Sequence, residues 1–260
     1  MDAVPATTIA KVRINPFLPY WAVFQADFKQ TLHGWLYRVW LFLSFGASIG
    51  YLMYRFGARQ VSGMQQPAPE TIADLMHWIA YGSITLIIAL TAGAICSERG
   101  TMADSVLSRG ISRYQYFLGK LHARLALVVG TFLVMCLIAL VGGFFLLHSD
   151  TLTIEGSLVA IGTVAAVLVI VVTCGVSVSA VSNNTVVSIA VVWLSLYGIG
   201  FVLSLLPASI PSPDRALARL PDVLRGYYDS RVIYQLVLGS LGVSFAISLV
   251  GMVLFSRRDV

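Results

Sequence analysis

Few side chains in this sequence stand where they could do chemistry. Ser177 and Ser179 follow Gly175 inside an apolar run, a setting loosely like that of a hydrolase nucleophile. A serine hydroxyl needs a neighbouring base to become nucleophilic, and no histidine follows His148. Both serines are therefore expected to be packing residues, and no catalytic residue is expected. His77 and His148 flank apolar runs and read as interfacial residues, not proton relays. Met53, Met64 and Met76 lie near His77, but their spacing fits no single helical face and no cysteine joins them. Cys96, Cys136 and Cys174 sit inside apolar runs without a CxxC or Cys/His cluster, so neither a disulfide framework nor a metal site is expected. Gly119-Lys120 lacks the upstream glycine and the following Ser or Thr of a phosphate-binding loop. ATP is not expected to bind this chain.

The segment that stands out is Glu98 to Lys120, SERGTMADSVLSRGISRYQYFLGK from Ser97 on. Thr101 with Asp104 three positions later is a variant capping box, and Gly110 is a natural helix stop. A short helix over 102–109 would expose Met102, Val106 and Leu107 beside Asp104 and Arg109. An apolar knob with charged flanks suits a groove on another protein.

The elements around it are membrane spans. The chain has 260 residues, 58% of them hydrophobic and 11% charged, with a mean hydropathy of +0.84. Soluble domains run nearer ~45–50% apolar and ~25% charged. The net charge of +5 is therefore read as topology-setting, with no nucleic-acid partner implied. A bilayer core needs ~20 apolar residues in a helix, and six segments qualify: 36–56, 76–96, 125–147, 157–181, 185–206 and 232–255. None carries a charge at mid-depth, although Arg38 and Arg124 lie near span ends, where snorkelling is cheap. An ion-coupled carrier would bury Asp, Glu or His in its spans, so that class is disfavoured.

The N-terminus has no signal-peptide pattern and is expected to stay in the cytoplasm. Lys11, Arg13, Lys29, Arg38, Arg99, Arg109, Arg113, Lys120, Arg124, Arg257 and Arg258 then lie inside, eleven against six outside. That distribution favours both termini in the cytoplasm of a multi-pass cell-membrane protein, with a bacterial inner membrane as the expected setting.

Before the first span, Trp21, Phe24, Phe28, Leu32 and Trp35 recur at helical spacing, with Gln25, Asp27, Gln30 and His33 elsewhere. This predicts an interfacial helix over 19–34, opened by Pro19 and closed near Gly34. The 207–231 loop interleaves Leu217, Leu220 and Leu224 with Arg215, Arg219 and Arg225, and Pro221 would divide it into two short helices. It reads either as an ordered cap, with Arg215, Arg219, Arg225 and Tyr227 as candidate contacts for an external protein, or as a solvated linker. Gly46 and Gly50 form GxxxG in the first span, either a seam with a second protomer or a contact inside one subunit. Gly175 with Ser179, and Ser240, Ser244 and Ser248, form similar small-residue faces.

The run Glu98-Arg99, Gly100-Thr101, Leu107-Ser108, Ser112-Arg113, Tyr114 to Phe117 and Gly119-Lys120 resembles the connector of type-2 ABC transporter permeases. The ending Leu254-Phe255-Ser256-Arg257-Arg258-Asp259 is similar too. Asp104 to Val106 is more polar than the leucine-rich run usual there. The resemblance implies an all-α membrane protein with six transmembrane helices, an N-terminal elbow helix, a cytoplasmic coupling helix within the 98–113 connector and short helices in the last outer loop. It implies a single permease domain over 1–260 that pairs with a second permease copy or a related permease. Glu98, Arg99, Gly100, Thr101, Met102, Asp104, Val106, Leu107 and Arg109 would couple to separate cytoplasmic ABC ATPase subunits, which would hold the ATP and magnesium. The first and fifth spans would bound a path that is mostly apolar, with Ser195, Tyr197 and Ser204 as polar points. The expected activity is export of an amphiphilic or hydrophobic substrate. The alternative is a membrane subunit that passes force from the ATPase to an external protein without transport. Some members of the family serve copper-enzyme maturation.

Overall fold

The computed structural model describes residues 17–62, 67–98, 111–147, 152–205, 207 and 212–257. All of its regular structure is helical, and six helices are long and apolar enough to cross a membrane. The chain is a multi-pass membrane protein.

Helix α1 (Leu18–His33) precedes the spans. Pro19 supplies the fixed φ that suits a first helical turn, and Gly34, extended at ψ 138°, ends the helix. A Cβ on Gly34 would stand 3.0 Å from the Thr31 carbonyl oxygen, so a small residue suits this junction. The spans are α2 (Trp35–Ser62), α3 (Ala68–Ala92, followed by a 3-10 turn at Cys96–Glu98), α4 (Arg113–Leu147), α5 (Ile154–Val181), α6 (Thr185–Leu205) and α9 (Ser230–Arg257). Two short helices, α7 (Pro213–Ala218) and α8 (Leu220–Leu224), link the last two. Several spans extend beyond the apolar stretches: α4 begins twelve residues ahead of position 125, and α3 eight ahead of 76. Polar residues at the membrane surface continue a helix without breaking its backbone hydrogen bonds, so hydropathy alone finds the span and misses its ends.

Helix α5 is the hub, packed against α3, α4, α6, α8 and α9. Its small residues permit close approach. A Cβ on Gly175 would run into the Thr91 hydroxyl on α3, and Gly251 of α9 faces Ser177 in the same way. The core around these contacts includes Ile72, Met76, Ile87, Ile88, Phe117, Phe132 and Met135. By contrast, 11% of the apolar window of α6 is buried within the chain and 22% of those of α2 and α9, against 56% for α3 and α5. Helices α2 and α6 are peripheral, and both contact α3. An apolar groove of about 510 Å³ runs between α2 and α3, from Trp40 to Tyr51 and from Leu75 to Leu86.

At one end of the bundle the 212–226 segment folds back onto α3 and α5, burying Leu217, Leu220, Val223 and Leu224. The helical path breaks at Arg219, so that Pro221 falls in the first turn of α8. Thr153 joins this segment to α5: its N–H reaches the Leu224 carbonyl at 3.1 Å, and its hydroxyl accepts from Gly156 N–H as the cap of α5. Gly156 sits so close to the Val223 carbonyl that any side chain would collide with it. Gly226 turns the chain out of α8 at φ +86°, a left-handed conformation that glycine adopts without strain.

Candidate functional site

At the opposite end from this cap, the termini of α1, α3, α4 and α9 meet. Helix α3 ends at Ala92, and its last carbonyls have no partner within the helix. Two cations one turn apart on α4 donate here: Arg124 Nη1 to Leu90 O in the last turn of α3 at 3.1 Å, and Lys120 Nζ to Ala94 O just beyond it at 2.8 Å. Positive charge at a helix C-terminus also complements the helix dipole.

Both cations are buried, Lys120 to 3% exposure, so both need counter-ions. One comes from α1. Asp27 Oδ1 lies 3.1 Å from Lys120 Nζ and 3.0 Å from Arg124 Nη2, and its Oδ2 lies 3.0 Å from Arg124 Nε. The other is Glu98, at the end of the turn that follows α3. Its Oε1 lies 2.6 Å from Lys120 Nζ, and its Oε2 accepts from the Tyr116 hydroxyl at 2.8 Å. The cluster holds two acids and two bases and is electrically balanced. Tyr116, Lys120 and Arg124 are spaced by four and share one face of α4.

Local sequence explains how these groups meet. Ser112 and Gln115 form a reciprocal capping box at the start of α4: Gln115 N–H donates to the Ser112 hydroxyl, and Ser112 N–H donates to Gln115 Oε1. Gly119 admits α1, because a Cβ there would lie 2.9 Å from a Val23 methyl and 3.2 Å from the Tyr20 carbonyl oxygen. Tyr20 also meets His122 Nδ1 at 3.1 Å, and burial raises the Tyr20 hydroxyl pKa above its usual value. Ser179 of α5 holds the end of α3 by accepting from the N–H groups of Ile95 and Cys96. Phe255 stacks on Tyr116 and Phe117, and Arg113 donates to Ser256 O at the end of α9. The Gly119-Lys120 pair and the Phe255-Ser256 ending thus belong to one packed junction.

Two readings of the sequence need correction. Arg124 does not snorkel outward from a span end; it points inward and is paired. Asp27 does not belong with the wetted residues of α1. The inward face of that helix is Val23, Asp27 and Thr31, whereas Trp21, Leu32 and Trp35 face outward. In lipid this orientation is sensible, since the aromatic stripe meets the membrane and the carboxylate finds cations inside the protein. Trp21, Phe24 and Phe28 stack in sequence, from the exposed Trp21 to Phe28, which is half-buried against the core.

Of the connector residues, Glu98 is described and lies in the cluster; Arg99, Gly100, Thr101, Met102, Asp104, Val106, Leu107 and Arg109 lie outside the described residues. Gly46 and Gly50 are on the exposed face of α2, with open space where a Cβ would stand. None of the described residues packs over them. Ser195, Tyr197 and Ser204 are on the exposed surface of α6. At the cap, Arg225 turns back to Glu70 at 2.9 Å and to Asp222, while Arg215 donates to Pro207 O. Arg219 and Tyr227 are exposed. Ser177 Oγ donates to Ile247 O, so it and Ser179 both serve helix contacts. Met76 is buried and Met53 exposed, while His77 stacks on Tyr81; they share no site. Among the described residues no group of three or more His, Cys, Asp or Glu could hold a metal ion.

The cluster was legible only in part. The Tyr116, Lys120, Arg124 spacing and the Ser112/Gln115 box are visible in the sequence, but Asp27 gives no local sign of its partners. No known family profile matches the chain, and no curated protein matches its sequence.

Proposed function

We propose that this chain is the transmembrane permease subunit of an ATP-binding cassette transporter, driven by ATP hydrolysis in separate subunits and exporting an amphiphilic or hydrophobic substrate. The observation that supports this most is the buried ion cluster at the foot of the connector. Glu98 opens the 98–109 segment, whose motifs resemble a coupling helix, and it is bonded to α4 and, through Lys120, to α1. A push delivered on the connector therefore has a stiff route into the bundle. On this reading the α1 end faces the cytoplasm, as the distribution of Lys and Arg favours. The peripheral helices α2 and α6, with Gly46 and Gly50 uncovered on α2, are the surfaces that would meet a second permease and bound the path. ATP binding would close the ATPase subunits and rock the two permeases against each other.

The cap gives a specific reason to keep a second reading. Its apolar side is spent on α3 and α5, leaving Arg219 and Tyr227 facing outward on an ordered platform. Such a platform suits an external protein that receives force without any substrate crossing.

The test is purification of the chain from its native membrane with associated subunits, followed by ATPase measurement in lipid vesicles. A co-purifying ATPase is expected, with its stimulated activity lost in Gly100→Pro and in Asp104→Lys although both variants still insert. Absence of any ATPase, or full stimulated activity in both variants, would overturn the proposal. Uptake of a lipophilic probe into inverted vesicles supports export, whereas cross-linking of an external protein to positions 219 and 227 without uptake supports force transmission.

A further inference from the structure

The four charges of the cluster are not equivalent. The Asp27 side chain is 1% exposed and the Glu98 side chain 15%. Asp27 touches both cations and is their shared counter-ion. Among the described bases Glu98 touches Lys120 alone, with Tyr116 holding its second oxygen. If Glu98 swings away, Lys120 keeps Asp27 Oδ1 and Ala94 O, and Arg124 keeps both Asp27 oxygens and Leu90 O. No cation is stranded. If Asp27 leaves instead, Arg124 has no acid and Lys120 must share Glu98 alone, a costly state for buried charge.

We propose that Glu98 is a releasable latch: bound to Lys120 and Tyr116 it fixes the turn after α3 to α4, and it can detach while Asp27 keeps α1 and α4 joined. This deepens the coupling reading above and rests on it for its use, though not for its geometry. Two features make release local. The turn that carries Glu98 is tied to α5 as far as Cys96, through the Ile95 and Cys96 N–H groups on Ser179, whereas beyond it Ser97 N–H and hydroxyl bond back to Gly93 O and Glu98 N–H to Ile95 O, within the turn itself. By contrast, α1 is held to α4 by the Gly119 close approach as well as by Asp27. A latch of this kind would let the end of the turn, at Ser97 and Glu98, move relative to α4 while Lys120 and Arg124 still hold Ala94 O and Leu90 O and the interfacial helix stays seated.

The experiment is amide hydrogen exchange on the full chain in lipid nanodiscs, comparing Glu98→Gln, Tyr116→Phe and Asp27→Asn with the unaltered protein. Glu98→Gln and Tyr116→Phe are expected to speed exchange over 93–98 by about tenfold or more, while α1 (18–33) keeps its protection. Asp27→Asn should loosen α1 and 93–98 together. Unchanged exchange at 93–98 in both Glu98→Gln and Tyr116→Phe would overturn the latch. So would loss of α1 protection in those variants equal to that in Asp27→Asn, because the cluster would then open only as one block. Should Glu98→Gln fail to fold, Tyr116→Phe decides alone, since it removes a Glu98 contact without altering any charge. ATPase stimulation in the same variants is read separately. Altered exchange with no ATPase present upholds the latch and removes the transporter reading; normal exchange with an active ATPase does the reverse.

Discussion

Arg124 grips Asp27 at two points, Nη2 on Oδ1 and Nε near Oδ2, both at 3.0 Å. The Nη2 contact is a hydrogen bond and the Nε contact a close ion pair without hydrogen-bond alignment, a two-point grip that an arginine can make where a lysine cannot. Lys120 adds a point charge to the same carboxylate. Buried ion clusters are no more stabilising than apolar packing of similar volume, but they are costly to break from one side.

Neutralising the shared acid should therefore be expensive. Asp27→Asn leaves two buried cations with one carboxylate, and is expected to cost about 3–5 kcal/mol. Adding Lys120→Met to Asp27→Asn should recover part of that loss. Thermal unfolding of the purified single and double variants measures it; an Asp27→Asn midpoint equal to that of the parent would refute the account.

At the cap, apolar burial should outweigh the ion pair. Arg225 and Glu70 are both partly exposed, so Arg225→Ala should cost no more than about 1 kcal/mol. Leu224 is fully buried, and Leu224→Ala should cost about 2–5 kcal/mol. Limited proteolysis within 212–226 should accelerate far more in Leu224→Ala than in Arg225→Ala.

Glycines in this chain should divide by their surroundings. Gly156→Ala would drive a methyl into the Val223 carbonyl, so its unfolding midpoint should fall sharply. Gly46→Ile and Gly50→Ile project into open space and should stay within about 0.5 kcal/mol of the parent as an isolated subunit. If α2 forms the seam, the same two changes should abolish inter-protomer cross-linking from α2.

The capping box at α4 gives a smaller and independent expectation. Ser112→Ala removes one arm of the pair with Gln115 and should cost about 1 kcal/mol, read as faster amide exchange in the first turn of α4 with α5 unchanged.

Much of this architecture is written in local patterns. The spans follow from runs of apolar residues, the α1 stripe from Trp21, Phe24 and Phe28, and the two short helices from Pro221. The cluster is written differently. Aspartate in an aromatic-rich helix reads as a surface residue because periodicity records which side is apolar, not which side meets protein. In a membrane those two sides are exchanged. Its partners lie 93 and 97 residues away, and no sequence spacing encodes a pairing of that length. Lys120 reads as connector charge because hydropathy ends a span at its first apolar residue. Ser112 and Gln115 show the opposite case, a readable motif overshadowed by Thr101 and Asp104 eleven residues earlier.

The pairing of Asp27 with Arg124 also sets an order of events during synthesis. At about 5–20 residues per second, the 97 positions between them take roughly 5–20 s to leave the ribosome. For that interval the acid lacks Lys120 and Arg124 and must stay wet, since a buried carboxylate needs a counter-ion. Helix α1 is thus made before its seat exists, and insertion of the third span is the step that completes it.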